Sequence, residues 1–470
     1  MTLAVQPTIT LPQLAQFSGG DLVVRDVPAS PAEREALLRS GIDGASIDTR
    51  TLAEGQLFVP LPGATTDGHR FIAQAFARGA GAALCARDRY AEFERKEPGP
   101  LIVVDDVTAA LQRIAARYRE RWRGPLYGVT GSVGKTTTKD LVAAVLGTLG
   151  LTLKTEGNLN NHWGVPLTLL GMKGEHVAAV VEMGSNHPGE IAFLAALARP
   201  NRAVITGAGS AHLEHFGSLE AIAREKASLA YALGEGDTLF VSADGPALLQ
   251  ALAGARCRKV TYGFAREADV RPRALEPRGE AGTRVEVAGF PPFTLALAGR
   301  HQVPNVLAAL AVGREARVDP AAASRALESY RPAKGRMEVK HARGATLLVD
   351  CYNANPESAM AALETLAAWP DASRRIALLG DMLELGETAP ELHRATAARA
   401  RGAEVWAVGE HAMDYAAGAK TAGVPVRVFA GVAAAGEALR GALAPGVVVL
   451  LKASRGARLE RVLDAVEAEG

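Results

Sequence analysis

The sequence predicts an α/β protein of several domains built on parallel sheets, and three observations carry that expectation. Short apolar runs of the buried-strand type alternate with stretches of helical periodicity along most of the chain, a pattern that makes a parallel sheet covered by helices on both faces. One such run, PLYGVT, leads straight into a glycine-rich loop and a helix, GSVGKTTTKDLVAAVLG. From about residue 331 the alternation starts afresh, and 470 residues are too many for one hydrophobic core.

In chain order, QLFVPL reads as a strand and HRFIAQAFARG as an amphipathic helix. The charged, Pro/Gly-containing ERKEPGP, 94–100, is expected to close a first domain at 1–100. VTAALQRIAARYRERW then reads as a helix, PLYGVT as a strand, and KTTTKDLVAAVLGTLG as a helix with a closing glycine. HVAAVVEM, RAVIT and DTLFVS supply further buried strands, so 101–330 is expected to form a central domain. TLLVD, IALLGD, EVWAVG, VRVFA and GVVVLLK, set apart by helix-and-loop sequence, describe a second open sheet of Rossmann type over 331–470.

Composition narrows the function. A net charge of +1 gives no electrostatic case for nucleic acid or an anionic membrane as the main partner. No apolar run approaches the roughly 18 residues that would cross a bilayer, and the start of the chain lacks the pattern of a signal peptide. Cys85, Cys257 and Cys351 are too scattered for a disulfide framework or a zinc site. The expectation is a cytoplasmic monomer without membrane insertion.

The glycine loop has an unusual spacing. In the ordinary form, G-x-x-x-x-G-K-[ST], counting back from Gly134-Lys135-Thr136 puts the first glycine where the chain has Val129. Gly131 lies closer and Gly128 one residue further off. The strand–loop–helix context still gives the motif its meaning. Loop N–H groups and the positive helix end cradle phosphate oxygens, Lys135 adds a point charge, and Thr136 is placed for Mg²⁺. A carboxylate for that metal is expected at the end of a neighbouring strand, and the run HVAAVVEM carries Glu182 there. His212, in TGAGSAHLEH, reads as a metal ligand, a phosphate donor or a satisfied histidine. Lys226, in AIAREKASLAYAL, reads as a solvated lysine, and Asn305, in GRHQVPNVLAALAV, as a helix N-cap.

Together these stretches resemble the Mur ligase superfamily, ATP-dependent enzymes that join an amino acid or peptide to a carboxylate. That superfamily's loop runs G-x-x-G-K-[ST]-T, which Gly131-Ser132-Val133-Gly134-Lys135-Thr136-Thr137 satisfies. Further family-like stretches follow in order along nearly the whole chain: SIDTRTLAEGQLFVPLPGATTDGHRFI, TEGNLNNHWGVPLTLL, VEMGSNHPGEI, AHLEHFGSLEAIAREK, GRHQVPNVLAAL, VDCYNANPESAMAALE, LGDMLELG and LLKASRG. The branch they resemble joins D-alanyl-D-alanine to UDP-N-acetylmuramoyl-tripeptide.

The resemblance implies three α/β domains: a small one for the UDP-sugar substrate, a central P-loop ATPase with a parallel sheet, and a Rossmann-like C-terminal one for the incoming dipeptide. It implies that Gly131, Ser132, Val133, Gly134, Lys135, Thr136 and Thr137 bind the phosphates of ATP, with Thr136 also on Mg²⁺. Glu182 and His212 look like the metal-associated pair. Lys226 matches a lysine that many members carry as a carbamate, which would make it a metal ligand. Asn305 is implied at adenine, and Arg336 and Asp350 at the phosphates and ribose. Thr49 and Arg50 of SIDTR, with Asn158, Asn160 and Asn161 of NLNNHWG, look like parts of the UDP-muramoyl-peptide site. Asn353, Asn355 and Ser454 look like contacts for the dipeptide; Lys452-Ala453-Ser454-Arg455 departs by one methyl group from the family's K-G-S-R. The competing readings are a sister ligase adding a single amino acid, such as diaminopimelate or the glutamate of folylpolyglutamate, and a P-loop NTPase switch. YNANPES stands where the diaminopimelate-adding branch has D-N-P-R, and no convincing apolar run ending in Asp lies near the glycine loop to supply a switch with its second motif.

Overall fold

The computed structural model describes residues 9–24, 30–63, 66–93, 99–210 and 213–467. His212 and most of ERKEPGP lie outside them.

The first sheet comprises β1 (Asp21–Val23), β2 (Ala45–Ser46), β3 (Leu57–Phe58), β4 (Ala82–Ala86) and β5 (Leu101–Val104), in the order β1-β5-β4-β3-β2. Only the β1–β5 pair is antiparallel. The expected QLFVPL strand is two residues long, because the prolines at 60 and 62 remove ladder donors. Helix α1 (Val107–Arg121) starts where the Asp106 carboxylate accepts from the Ala109 amide at 2.9 Å. Its buried face joins Leu84 and Ile102 of this sheet to Leu126 and Val181 of the next in one continuous core.

The central sheet is wholly parallel. Its elements are β6 (Leu126–Thr130), α2 (Lys135–Leu146), β7 (Thr152–Lys154), β8 (Ala178–Glu182), β9 (Arg202–Ile205), α3 (Leu219–Tyr231), β10 (Thr238–Ser242) and β11 (Arg258–Tyr262). The strand order is β11-β10-β9-β6-β8-β7. Every residue of β6, β8 and β10 is buried, which is why they read as continuous apolar runs. After β6 the chain builds β7 and β8 on one side and β9 to β11 on the other. That reversal opens a crevice beyond the carboxyl ends of β6, β8 and β9.

A three-stranded antiparallel sheet, β12 (Pro272–Pro277), β13 (Thr283–Val287) and β14 (Phe293–Leu295), follows. Helix α4 (Val303–Glu315) packs with Val142 and Leu146 of α2 and with Phe293 in a second core. The C-terminal sheet contains β15 (Glu338–Ala342), β16 (Ala345–Asp350), β17 (Arg374–Leu379), β18 (Glu404–Val408), β19 (Val426–Phe429) and β20 (Val447–Lys452), with α5 (Pro356–Ala367) after β16. The order is β15-β16-β20-β17-β18-β19, parallel apart from the β15–β16 hairpin. That hairpin turns on Arg343 and Gly344, both at positive φ (51° and 78°), as a tight two-residue turn requires. Among the described residues, no helix is long and apolar enough to cross a membrane.

Candidate active site

The P-loop owes its spacing to two glycines. Gly131 (φ 146°) and Gly134 (φ 83°) occupy backbone conformations that side chains disfavour. A Cβ on Gly131 would stand 2.0 Å from Thr206 Oγ1, and one on Gly134 would stand 2.3 Å from Asn305 Oδ1. Val129 belongs to β6, paired with Glu182 on one side and Val204 on the other. The position that breaks the ordinary motif is therefore sheet, not loop. The loop is braced by the segment after β9: Ser132 Oγ accepts from the Gly209 amide at 2.9 Å and donates to its carbonyl at 3.1 Å. The half-buried Lys135 curls back to donate to Gly131 O at 2.7 Å. Burial draws its ammonium below the usual lysine range; Glu182 opposes the shift and Arg336 adds to it.

Glu182 is the centre of the polar network. Thr136 Oγ1 donates to its Oε1 at 3.1 Å and Asn160 Nδ2 to the same oxygen at 2.7 Å. Its other oxygen, Oε2, is buried and takes no hydrogen bond from the described residues. A carboxylate 1% exposed, with one oxygen that takes no hydrogen bond from the described residues and only a 3.9 Å ion-pair contact from Lys139, beside a hydroxyl at a phosphate loop, is a hard-oxygen donor set that suits magnesium. From the C-terminal side, Arg336 Nη2 donates to the Thr136 hydroxyl at 3.0 Å.

Lys226, on α3, is 1% exposed and not the solvated lysine its helix suggests. Its ammonium donates to Ser185 Oγ at 2.6 Å and lies 5.7 Å above the Phe216 ring. Burial, reinforced by the charge of Lys135, lowers its pKa to about 7. It sits behind the site, with Ser185 between it and the cleft. Its neighbour Glu225 pins the loop after β8, accepting from the Gly189 and Ile191 amides at 2.7 and 2.8 Å.

These groups open onto a cleft of about 880 Å³ between the central and C-terminal sheets. Ser132 to Thr137, Asn158, Asn160, Asn161, Glu182, Asn305, Arg336, Asp350, Asn353 and Asn355 all line it. Asn305 is not the N-cap, because α4 begins at Val303; its Oδ1 accepts from Thr138 Oγ1 at 3.1 Å, beneath Gly134. Asp350 is held by the Lys452 ammonium at 2.9 Å and the Met337 amide at 3.2 Å, and the Arg336 guanidinium stacks 4.0 Å above the Tyr352 ring. Asn161 accepts from the Trp163 and Gly164 amides at the start of the next helix, while Asn355 caps α5.

Three of the expected substrate contacts stand apart from the cleft. Thr49 is buried and donates to Gln74 Oε1 at 3.1 Å. Arg50 points to solvent, where it holds the Asp48 carboxyl down to about 2. Ser454 Oγ accepts from the Leu383 amide at 3.0 Å and donates to Ala354 O at 3.2 Å, which ties two loops together. Lys139, Ser185, Glu357 and Lys452 belong to the site or its support without having been expected. Lys139 and Lys452 are buried lysines that nothing in their local sequence separates from solvated ones, and Glu357 looks like an ordinary first-turn acid.

A glycine loop at a parallel-sheet switch point, faced by an arginine and an aspartate from a second sheet, defines a multidomain nucleotide-binding α/β protein. The chain belongs to the Mur ligase family: residues 129–313 match the Mur ligase middle domain, 335–455 the Mur ligase glutamate ligase domain, and 41–119 the Mur ligase family catalytic domain. It is 36% identical to UDP-N-acetylmuramoyl-tripeptide–D-alanyl-D-alanine ligase of Bacillus subtilis over 439 residues, 91% of this chain and 93% of the relative. Its fold is similar to a crystal structure of MurF from Acinetobacter baumannii, with TM-score 0.84 and 28% identity, covering 99% of this chain and 100% of that one. MurF of Thermotoga maritima in complex with ADP is likewise similar, with TM-score 0.76 and 28% identity over 91% of this chain and 97% of that one. The three-domain α/β architecture expected from the sequence is the one these relatives share.

Proposed function

We propose that the protein is an ATP-dependent, ADP-forming amide ligase that adds D-alanyl-D-alanine to UDP-N-acetylmuramoyl-tripeptide in peptidoglycan precursor synthesis. The observation that carries this reading is the convergence of Lys135, Thr136 and Glu182 with Arg336 at one end of the cleft, in a chain similar to such ligases along nearly its whole length.

A carboxylate resists attack by an amine because it has no good leaving group. In the proposed reaction the tripeptide carboxylate takes the γ-phosphoryl group of ATP to become an acyl phosphate. The dipeptide amine then attacks that carbonyl, and phosphate leaves. Lys135 and the loop amides hold phosphoryl oxygens, and Arg336 brings a second cation from the opposite sheet. Thr136 and Glu182 would hold Mg²⁺, with Lys226 as a carbamate and His212 as further expected members of the set; the metal supplies charge neutralisation on the phosphates. Asn305 would meet adenine and Asp350 the ribose; in support, both line the cleft, and Lys452 holds the Asp350 carboxylate. The asparagines of the 155–161 loop face the acceptor, while Asn353 and Asn355 face the dipeptide. The three expected segments, 1–100, 101–330 and 331–470, divide UDP-sugar, ATP and dipeptide among them.

Phosphate release measured with UDP-muramoyl-peptides of different length, against D-alanyl-D-alanine and single amino acids, tests the reading. ADP formation that requires both the tripeptide and D-alanyl-D-alanine is expected. Turnover driven equally by a single amino acid, or by neither substrate, overturns it.

A further inference from the structure

Lys139 lies one helical turn beyond Lys135 on α2, and no step of the proposed reaction uses it. It is 2% exposed, and a buried ammonium is costly unless its surroundings compensate. The compensating groups come from three separate elements. Its Nζ donates to the carbonyls of Thr155 at 2.8 Å and Gly157 at 3.2 Å. It also stands 3.4 Å from Asp140 Oδ1 and 3.9 Å from Glu182 Oε2.

Thr155 and Gly157 open the loop that carries Asn158, Asn160 and Asn161 along the cleft. Residues 156–159 are exposed, and a Cβ on Gly157 would meet nothing within 4 Å. Packing reaches this stretch only at its end, where the Leu159 backbone lies against Gly164; ahead of that, Lys139 holds it from below. The same loop is fastened to Glu182 twice more, by the Glu182 amide on Thr155 Oγ1 at 3.0 Å and by Asn160 Nδ2 on the carboxylate at 2.7 Å. One buried cation thus joins the phosphate-loop helix, the asparagine loop and the carboxylate at the end of β8.

We infer that Lys139 is a positioning residue for the acceptor: it holds the 155–161 loop in register with the phosphate site, so that the asparagines meet the UDP-muramoyl-peptide. The inference rests on the proposed ligase reading. A lysine that merely stabilised the core would, when removed, lower stability and weaken both substrates alike. A positioning residue for this loop acts on the acceptor selectively.

The test compares the wild-type protein with Lys139→Met and Lys139→Arg. Calorimetry gives the affinity for UDP-N-acetylmuramoyl-tripeptide, in its diaminopimelate and lysine forms, and steady-state ADP formation gives KM for each substrate. In Lys139→Met, two carbonyls lose a charged donor, so acceptor Kd and KM rise about tenfold or more, while KM for ATP stays within about threefold. Lys139→Arg, which keeps charge and donors, stays within about threefold of wild type in acceptor affinity. Unchanged acceptor affinity in Lys139→Met overturns the inference. So does an equal loss for acceptor and ATP together with a lowered Tm. If Lys139→Met does not accumulate as folded protein, Lys139→Gln is judged by the same criteria. Wild-type protein that binds the tripeptide but forms no ADP with D-alanyl-D-alanine refutes the ligase reading, while the calorimetric series still decides the role of Lys139.

Discussion

Both polar groups of Ser210 end on the Glu357 carboxylate, the amide on Oε1 at 3.0 Å and the hydroxyl on Oε2 at 2.6 Å. Ser210 belongs to the segment that follows β9 in the central sheet; Glu357 is in the first turn of α5, in the C-terminal sheet's layer. One residue earlier, Gly209 exchanges two hydrogen bonds with the Ser132 hydroxyl of the phosphate loop. The phosphate loop is therefore three residues away from the element that would receive the dipeptide. An acyl phosphate is lost to water unless the site closes around it, and this path links loop and closure physically.

Glu357→Gln and Ser210→Ala each break half of that contact. Because the bonds are charge-assisted, a double-mutant cycle is expected to show coupling of about 1 kcal/mol or more in kcat/KM for D-alanyl-D-alanine. Small-angle scattering with an ATP analogue and the tripeptide should show a more expanded Glu357→Gln than wild type. Additive effects and matching scattering profiles would remove the latch.

At the phosphate end, Lys135 makes side-chain bonds, among the described residues, only to carbonyls of its own loop. Lys135→Ala should therefore leave the fold intact and cut turnover by about 10²-fold or more, since a preorganised cation at the transferring group is lost. Glu182→Gln should raise the Mg²⁺ concentration at half-maximal rate by at least about tenfold, as the donor set loses its charge. Equal Mg²⁺ titrations of wild type and Glu182→Gln would take Glu182 out of the metal site.

Lys226 carries a prediction that does not depend on turnover. Its pKa, drawn to about 7 by burial and by Lys135, makes the neutral amine a major species at neutral pH, whereas an ordinary lysine is almost wholly charged there. Only the neutral amine adds to CO₂. At fixed dissolved ¹³CO₂, a carbamate carbon resonance should grow as pH rises from about 6 to 8 and be missing from Lys226→Met. A signal retained in that variant would place the modification elsewhere.

What could be read in advance follows from how each element is buried. Strands β6, β8 and β10, enclosed on both faces, announce themselves as apolar runs, and each leads into a residue or loop that the cleft uses. Strand β15 is half-exposed along its length and carries no such run, so its hairpin with β16 was invisible. Of the antiparallel strands over 272–295, the first has no buried position and the other two alternate buried and half-buried ones over too few residues to stand out. In the cleft, the glycine loop was legible because its conformation admits few residues at 131 and 134. The support was not: Lys139 and Lys452 acquire their roles from carbonyls and carboxylates remote in sequence, such as Gly157 and Asn353. Asn305 shows the same limit, since its partner Thr138 lies 167 residues away.

Acid sensitivity follows from two histidines outside the phosphate site's metal set. His393 is fully buried; its Nε2 accepts from the Met382 amide at 3.0 Å, so Nδ1 carries the proton that is donated to Ala389 O at 2.6 Å. That arrangement requires the neutral ring, and burial lowers its pKa. His301, beside the cleft, is lowered by burial to about 4. In the unfolded chain both titrate near the ordinary value of about 6.5. The unfolded state therefore binds more protons below that value, and stability falls as pH drops from about 6.5 toward 4, by at most about 1.4 kcal/mol per pH unit for each histidine. Urea midpoints measured at intervals across this range should decline toward acid, and decline less steeply in His393→Gln, whose amide supplies both an acceptor and a donor without titrating. A midpoint that stays level from neutral pH down to 4.5, or an identical slope in the variant, would show that the His393 ring is not held neutral.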